Sequence, residues 1–246
     1  MNLPAFYAGV RPLFGGELSQ RQVDALNAIL KAWGAHGDGN PRHLAYILAT
    51  AKHESGAFQY MREIWGPTPA QKGYEGRKDL GNTVKGDGKR FMGRGFVQIT
   101  GRRNYADWSK RLGLDMLSKP TLAEGLDVAA RILVEGMLKG TFTGRKLADY
   151  PHDFVESRRI VNGMDRAVMI SGYAYGFLKA IVEAQGVPKP APAPTPAPQP
   201  QTPASEAAKP RNTRGIVGWI ILAAVGIASG AAALWQHIAN FFGGLF

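Results

Sequence analysis

Two stretches of this sequence carry side chains that could do chemistry together. His53-Glu54-Ser55-Gly56 ends an apolar-patterned segment with a carboxyl group, and Gly93-Arg-Gly-Phe-Val-Gln-Ile-Thr100 brings Gln98 and Thr100, with Asn104 shortly after. A carboxylic acid can protonate a departing glycosidic oxygen, while amide and hydroxyl groups hold a sugar or a water. Such cleavage usually takes a second carboxylate. Glu63 and Glu75 are the candidates, because the chain turns at Gly56 and at Gly66-Pro67 and either could return to face Glu54. The plainer alternatives are a solvated Glu54 at a helix end, ion pairs of Glu63 with Arg62 and of Glu75 with Arg77, and a structural His53.

The elements that must position these groups can be read from spacing. Val23, Leu26, Ile29 and Leu30 form one stripe over 20–33, as a helix requires. Asn40 followed by Pro41 is a helix start, Leu44, Ile47, Leu48 and Ala51 form its apolar face, and Gly56 stands where a stop belongs. Glu54 thus falls in the last turn, where the negative end of the helix dipole disfavours an ionised carboxylate, so the spacing predicts a protonated acid. Phe96–Thr100 reads as a short strand with Phe96, Gln98 and Thr100 on one face. Glycines at 93, 95 and 101 permit close approach of a ligand. Asn104 begins a helical stretch ending near Gly113. Thr121-Leu-Ala-Glu124 reads as a capping box opening a helix through Met137, and Arg158–Asp165 leads into a long helix ending near Gln185. Residues 66–95 show no sustained period, as a functional rim would. Gly86-Asp-Gly-Lys-Arg90 lacks the spacing and the Ser/Thr of a phosphate loop.

Composition divides the 246 residues into a globular part at 1–187, a Pro/Ala-rich linker at 188–213, an apolar segment at 214–236 and a short tail at 237–246. The composition of its Pro188–Pro210 stretch predicts extended polyproline, with a reach of roughly 70 Å for about 23 residues at about 3.1 Å each. Ile216–Trp235 holds no charged residue and is long enough for one transmembrane helix. Trp219 and Trp235 suit the two interfaces, and Gly226-Ile-Ala-Ser-Gly230 is a small-residue pattern compatible with weak helix–helix self-association. Lys209, Arg211 and Arg214 precede the span and only His237 follows it, which predicts a single-pass membrane protein with a cytoplasmic globular domain. The N-terminus lacks the pattern of a secretory signal.

The formal net charge is +11, but the basic residues are scattered and no nucleic-acid motif accompanies them; attraction to anionic surfaces is the plainer reading. The absence of cysteine excludes disulfides, thiol catalysis and Cys-ligated zinc, and five histidines without close pairing give no metal signature. No cofactor is expected.

On Ala49-Thr-Ala-Lys-His-Glu-Ser-Gly56, Gly93–Thr100 with Asn104-Tyr105, and Ile160-Val-Asn-Gly163, the chain resembles glycoside hydrolase family 19, in the phage and bacterial endolysin branch of its chitinase-like members. The resemblance spans roughly residues 5–185. It implies a mainly α-helical, two-lobed lysozyme-like fold with a small β element. It also implies an inverting hydrolysis of β-1,4 bonds in peptidoglycan, with Glu54 as general acid and Thr100 steadying the attacking water. Gln98, Asn104, Tyr105 and Asn162 would bind the sugar chain. The second carboxylate is expected at Glu63, the place implicated in endolysin-like members, with Glu75 as the plant-type alternative. The plant disulfides have no counterpart here.

Rival readings are a chitinase acting on chitin, a lytic transglycosylase using Glu54 alone, and a non-catalytic glycan-binding or holin-like membrane protein. Expected partners are the glycan chain, a lipid bilayer at the C-terminal helix, and a holin that breaches the membrane for a domain stored on its inner face.

Overall fold

The computed structural model describes residues 1–186. The expected linker, membrane span and tail lie outside the described residues. Among the described residues, 1–186, no helix is long and apolar enough to cross a membrane.

Eight α-helices form the described part: α1 Leu3–Val10, α2 Gln20–His36, α3 Pro41–Glu54, α4 Pro69–Lys72, α5 Asp87–Arg90, α6 Arg102–Leu112, α7 Leu126–Lys139 and α8 Ala167–Ala184. Their ends follow local chemistry. Asn40 caps α3 through Oδ1, which accepts from the Arg42 amide at 3.0 Å, and Pro41 needs no such bond. Ser19 and Gln22 form a reciprocal capping box on α2. Gly113 ends α6 in the left-handed conformation that glycine adopts without strain.

The core is a helical body in which α3 and α1 pack on α8, and α2 packs on α7. Leu44, Ile47 and Leu48 of α3 are buried, each worth about 1.5–3 kcal/mol in apolar burial. α1 and α8 approach closely because Gly9 has no side chain: a Cβ there would lie 2.8 Å from Ala180 Cβ. This body fixes the last turn of α3, and with it Glu54.

Between α3 and α6 the chain is largely irregular, interrupted by α4 and α5. The strand expected at Phe96–Thr100 is a turn. Arg94 and Ile99 pair across it in an isolated bridge, with the Ile99 amide donating to Arg94 O at 2.9 Å. Gly95 and Gln98 take positive φ of 80° and 53°, so the backbone reverses where alternation would have carried it straight. Gly95 permits this reversal, and the space expected for a ligand at glycines 93, 95 and 101 is taken up by the chain's own Gln98, Ala123 and Leu80.

The capping box expected at Thr121–Glu124 also differs. Pro120–Glu124 is a short 3-10 turn, and α7 begins after Gly125 with no side-chain cap. Glu124 is drawn away by Arg94, whose Nε donates to Oε1 at 2.7 Å. A buried guanidinium outcompetes a backbone amide for that carboxylate.

Candidate active site

Glu54 closes α3 and is 7% exposed. Its Oε1 accepts a hydrogen bond from Arg158 Nη1, and both partners are buried. Arg158 sits in the 3-10 turn Glu156–Ile160 before α8, where its Nε also donates to Asp165 O at 2.9 Å. Glu54 therefore stands in the last turn of α3, as the spacing predicts, and there it is half of a buried ion pair, a partner that the helix-end argument leaves out. Oε2 accepts no hydrogen bond among the described residues. Next to it, burial holds the His53 imidazole below its ordinary range, with the Glu54 charge opposing. His53 is thus neutral near pH 7.

Glu63 is 3% exposed and held by uncharged donors. Its Oε1 accepts from Gln71 Nε2 at 2.9 Å and from the Tyr74 hydroxyl at 3.3 Å, and its Oε2 accepts from the Gly93 amide at 3.0 Å. Gln71 is fixed in turn by α4, where it forms a capping box with Thr68. Burial and the adjacent Glu63 charge push the Tyr74 phenol well above its ordinary pKa, keeping it a donor.

Gly93 links Glu63 to the turn. A Cβ at Gly93 would come within 2.9 Å of Gln98 Oε1 and 3.3 Å of Thr100 Oγ1, so Glu63, Gln98 and Thr100 converge on one glycine. Thr100 Oγ1 donates to Gln98 O at 2.9 Å, leaving its lone pairs free. Gln98 Nε2 donates to Gly95 O and Tyr60 O, while its buried Oε1 has no partner among the described residues. Asn104 is exposed, tethered by Nδ2 to Thr100 O at 2.7 Å. The two halves meet through Tyr60, whose amide bonds Ser55 O and whose carbonyl accepts from Gln98.

The remaining expected residues fall elsewhere or alongside. Asn162 is buried beside the first half, its amide on Arg158 O. Glu75 is exposed and accepts from the Gly86 and Gly88 amides at 2.6 and 2.9 Å, which makes it a loop fastener. Tyr105 is fully buried, its hydroxyl donating to Met92 O and accepting from Arg94. It packs the turn from behind and offers a sugar no surface. The ion pairs weighed for Glu63 with Arg62 and for Glu75 with Arg77 are replaced: Arg62 lies 4.0 Å from Glu124, and Arg77 pairs with Asp79. Sequence reasoning missed Arg158, Gln71 and Tyr74, although Arg158 stands two positions before the Ile160-Val-Asn-Gly163 motif.

This fold is the mainly helical one of family 19 chitinases. A bacterial family 19 chitinase superposes with a TM-score of 0.52 at 21% identity, over 71% of this chain and 93% of that one. Among curated sequences, a glycosyl hydrolase family 19 domain-containing protein of Haemophilus influenzae is 30% identical over 122 residues, covering 39% of this chain and 60% of that protein. An endochitinase of Arabidopsis thaliana is 31% identical over 125 residues, covering 48% of this chain and 41% of its own length. The chain thus spans about half the length of these relatives. No family model matches it.

Proposed function

We propose that this protein is a glycoside hydrolase of the family 19 type that cleaves β-1,4 bonds in the glycan strands of peptidoglycan. The observation that carries the reading is the pair of buried carboxylates in unlike settings, Glu54 against a guanidinium and Glu63 against neutral donors beside Thr100. Glu54 is the general acid. Arg158 fixes one oxygen and leaves Oε2 to carry the proton. Glu63 is the base: its neutral donors orient the carboxylate without cancelling its charge. It draws a proton from a water accepted by Thr100, and attack on the face opposite the leaving group inverts the anomeric carbon. Gln98, Asn104 and Asn162 hold the sugar chain.

The names and fold of the relatives support glycosidase chemistry, and the endochitinase among them keeps chitin as the rival substrate. The basic sequence and the charge-free run at 216–235 support an envelope role, with the domain stored on the inner membrane face until a holin breaches the bilayer. Turbidity loss of purified peptidoglycan, set against reducing sugar released from colloidal chitin, tests the substrate. Clearing of peptidoglycan by wild type and not by Glu54→Gln is the expected result. Equal clearing by both proteins would remove Glu54 from the mechanism.

A further inference from the structure

The positive charge of the described residues is unevenly placed. Residues 64–103 hold nine Lys and Arg against three Asp and Glu, whereas the other 146 described residues hold 17 against 15. All three acids of the basic stretch are spent inside it. Glu75 fastens Gly86 and Gly88, Asp79 pairs with Arg77, and the buried Asp87 pairs with Arg102. Lys72, Lys78, Lys85, Lys89 and Arg103 are exposed and make no ion pair among the described residues.

The stretch is one folded unit joined to the site. The Arg102 amide donates to Asn82 Oδ1 at 2.8 Å and the Arg103 amide to Leu80 O at 3.0 Å, closing α6 onto the loop. Lys72 follows Gln71 in α4 and is exposed where Gln71 turns inward to Glu63, and Arg103 precedes Asn104 in α6. An uncharged polysaccharide has no use for such a field. A glycan strand bearing peptide carboxylates has one, because unpaired cations beside a site raise the local concentration of an anionic substrate.

The geometry points to residues 64–103 as a cationic specificity lobe that binds the carboxylates carried by the glycan strand, with Lys72, Lys78, Lys85, Lys89 and Arg103 as its contact charges. This rests on the glycan-cleaving reading above and adds how an acidic strand is chosen over a neutral one. The contacts are solvent-exposed, so they weaken with salt as the Debye length shortens.

The test is co-sedimentation of the full chain, in mild detergent, with purified peptidoglycan in which carboxylates are free or amidated by carbodiimide coupling, and with chitin beads. Wild type is expected to bind the free-carboxylate polymer roughly tenfold more tightly than the amidated one, an advantage that high salt abolishes. The triple variant Lys78→Glu, Lys85→Glu, Lys89→Glu is expected to lose that advantage and to bind chitin as wild type does. If it fails to fold, the corresponding triple Gln variant gives the same readout at smaller size. Equal binding to both forms of peptidoglycan, or an undiminished preference in the folded variant, overturns the proposal. Charge-dependent binding without cleavage of any polymer would instead sink the hydrolase reading and leave the lobe standing.

Discussion

Glu54 and Glu63 are similarly buried but sit in opposite kinds of environment. Glu54 ends a 14-residue helix and meets a guanidinium 104 positions away in sequence. Glu63 lies in irregular chain and meets an amide, a phenol and a backbone N–H, all within 30 positions. A buried charge must be compensated, and these are two solutions with different sensitivities. An ion pair leaves an orphaned charge when one member is removed. A carboxylate held by neutral dipoles leaves only unfilled hydrogen bonds. The helical body therefore tolerates changes at its carboxylate less well than the loop does, although both carboxylates serve one proposed reaction.

The largest effects should be on turnover. Glu54→Gln and Glu63→Gln are each expected to lower glycan hydrolysis by about 10²–10⁴-fold, read as initial rates on peptidoglycan. If one variant kept near-normal rates, the two halves would not form a single site. Stability then separates them. Arg158→Met, which strands Glu54, is expected to cost about 3–5 kcal/mol in urea unfolding. Glu63→Gln is expected to cost about 1–3 kcal/mol, and equal costs would break the contrast.

Acid should act on the loop through Asp87. The Arg102 hydrogen bonds, assisted by the Val84 amide and opposed by desolvation, hold its carboxyl below the ordinary aspartate range. A depressed folded-state pKa contributes stability that is present above the unfolded value, about 4, and lost as pH falls through the folded one. Unfolding free energy should therefore decline below about pH 4, and Asp87→Asn should flatten that slope. The smallest effect is expected at Glu75. Glu75→Gln should cost about 1 kcal/mol of stability and leave hydrolysis nearly unchanged. A collapse of activity there would make Glu75 the second carboxylate in place of Glu63.

The legible parts of this molecule are those encoded locally. The stripe of α2, the Asn40-Pro41 start, the place of Glu54 in the last turn of α3 and the stop at Gly113 all follow from neighbours within a few positions. Arg158 does not. Two adjacent arginines stand there; exposed Arg159 pairs with nearby Glu156, but the partner of buried Arg158 lies 104 positions away, beyond the reach of local pattern. The strand reading failed because a five-residue alternation is too short to outweigh glycines at 93 and 95, and because Gln98 adopts a conformation most side chains avoid. The burial of Tyr105 is not legible for a related reason: α6 begins at Arg102, so its fourth residue turns inward while Asn104 is exposed. Helical period was visible, but which face meets the glycan depends on how the loop folds over it.

The central claim is hydrolysis with Glu54 as proton donor, and mass analysis of fragments released from peptidoglycan in heavy-oxygen water tests it most directly. Wild type should release fragments carrying one heavy oxygen at the new reducing end, and Glu54→Gln should release essentially none. Fragments lighter by one water, with an anhydro end and no isotope, would contradict the account.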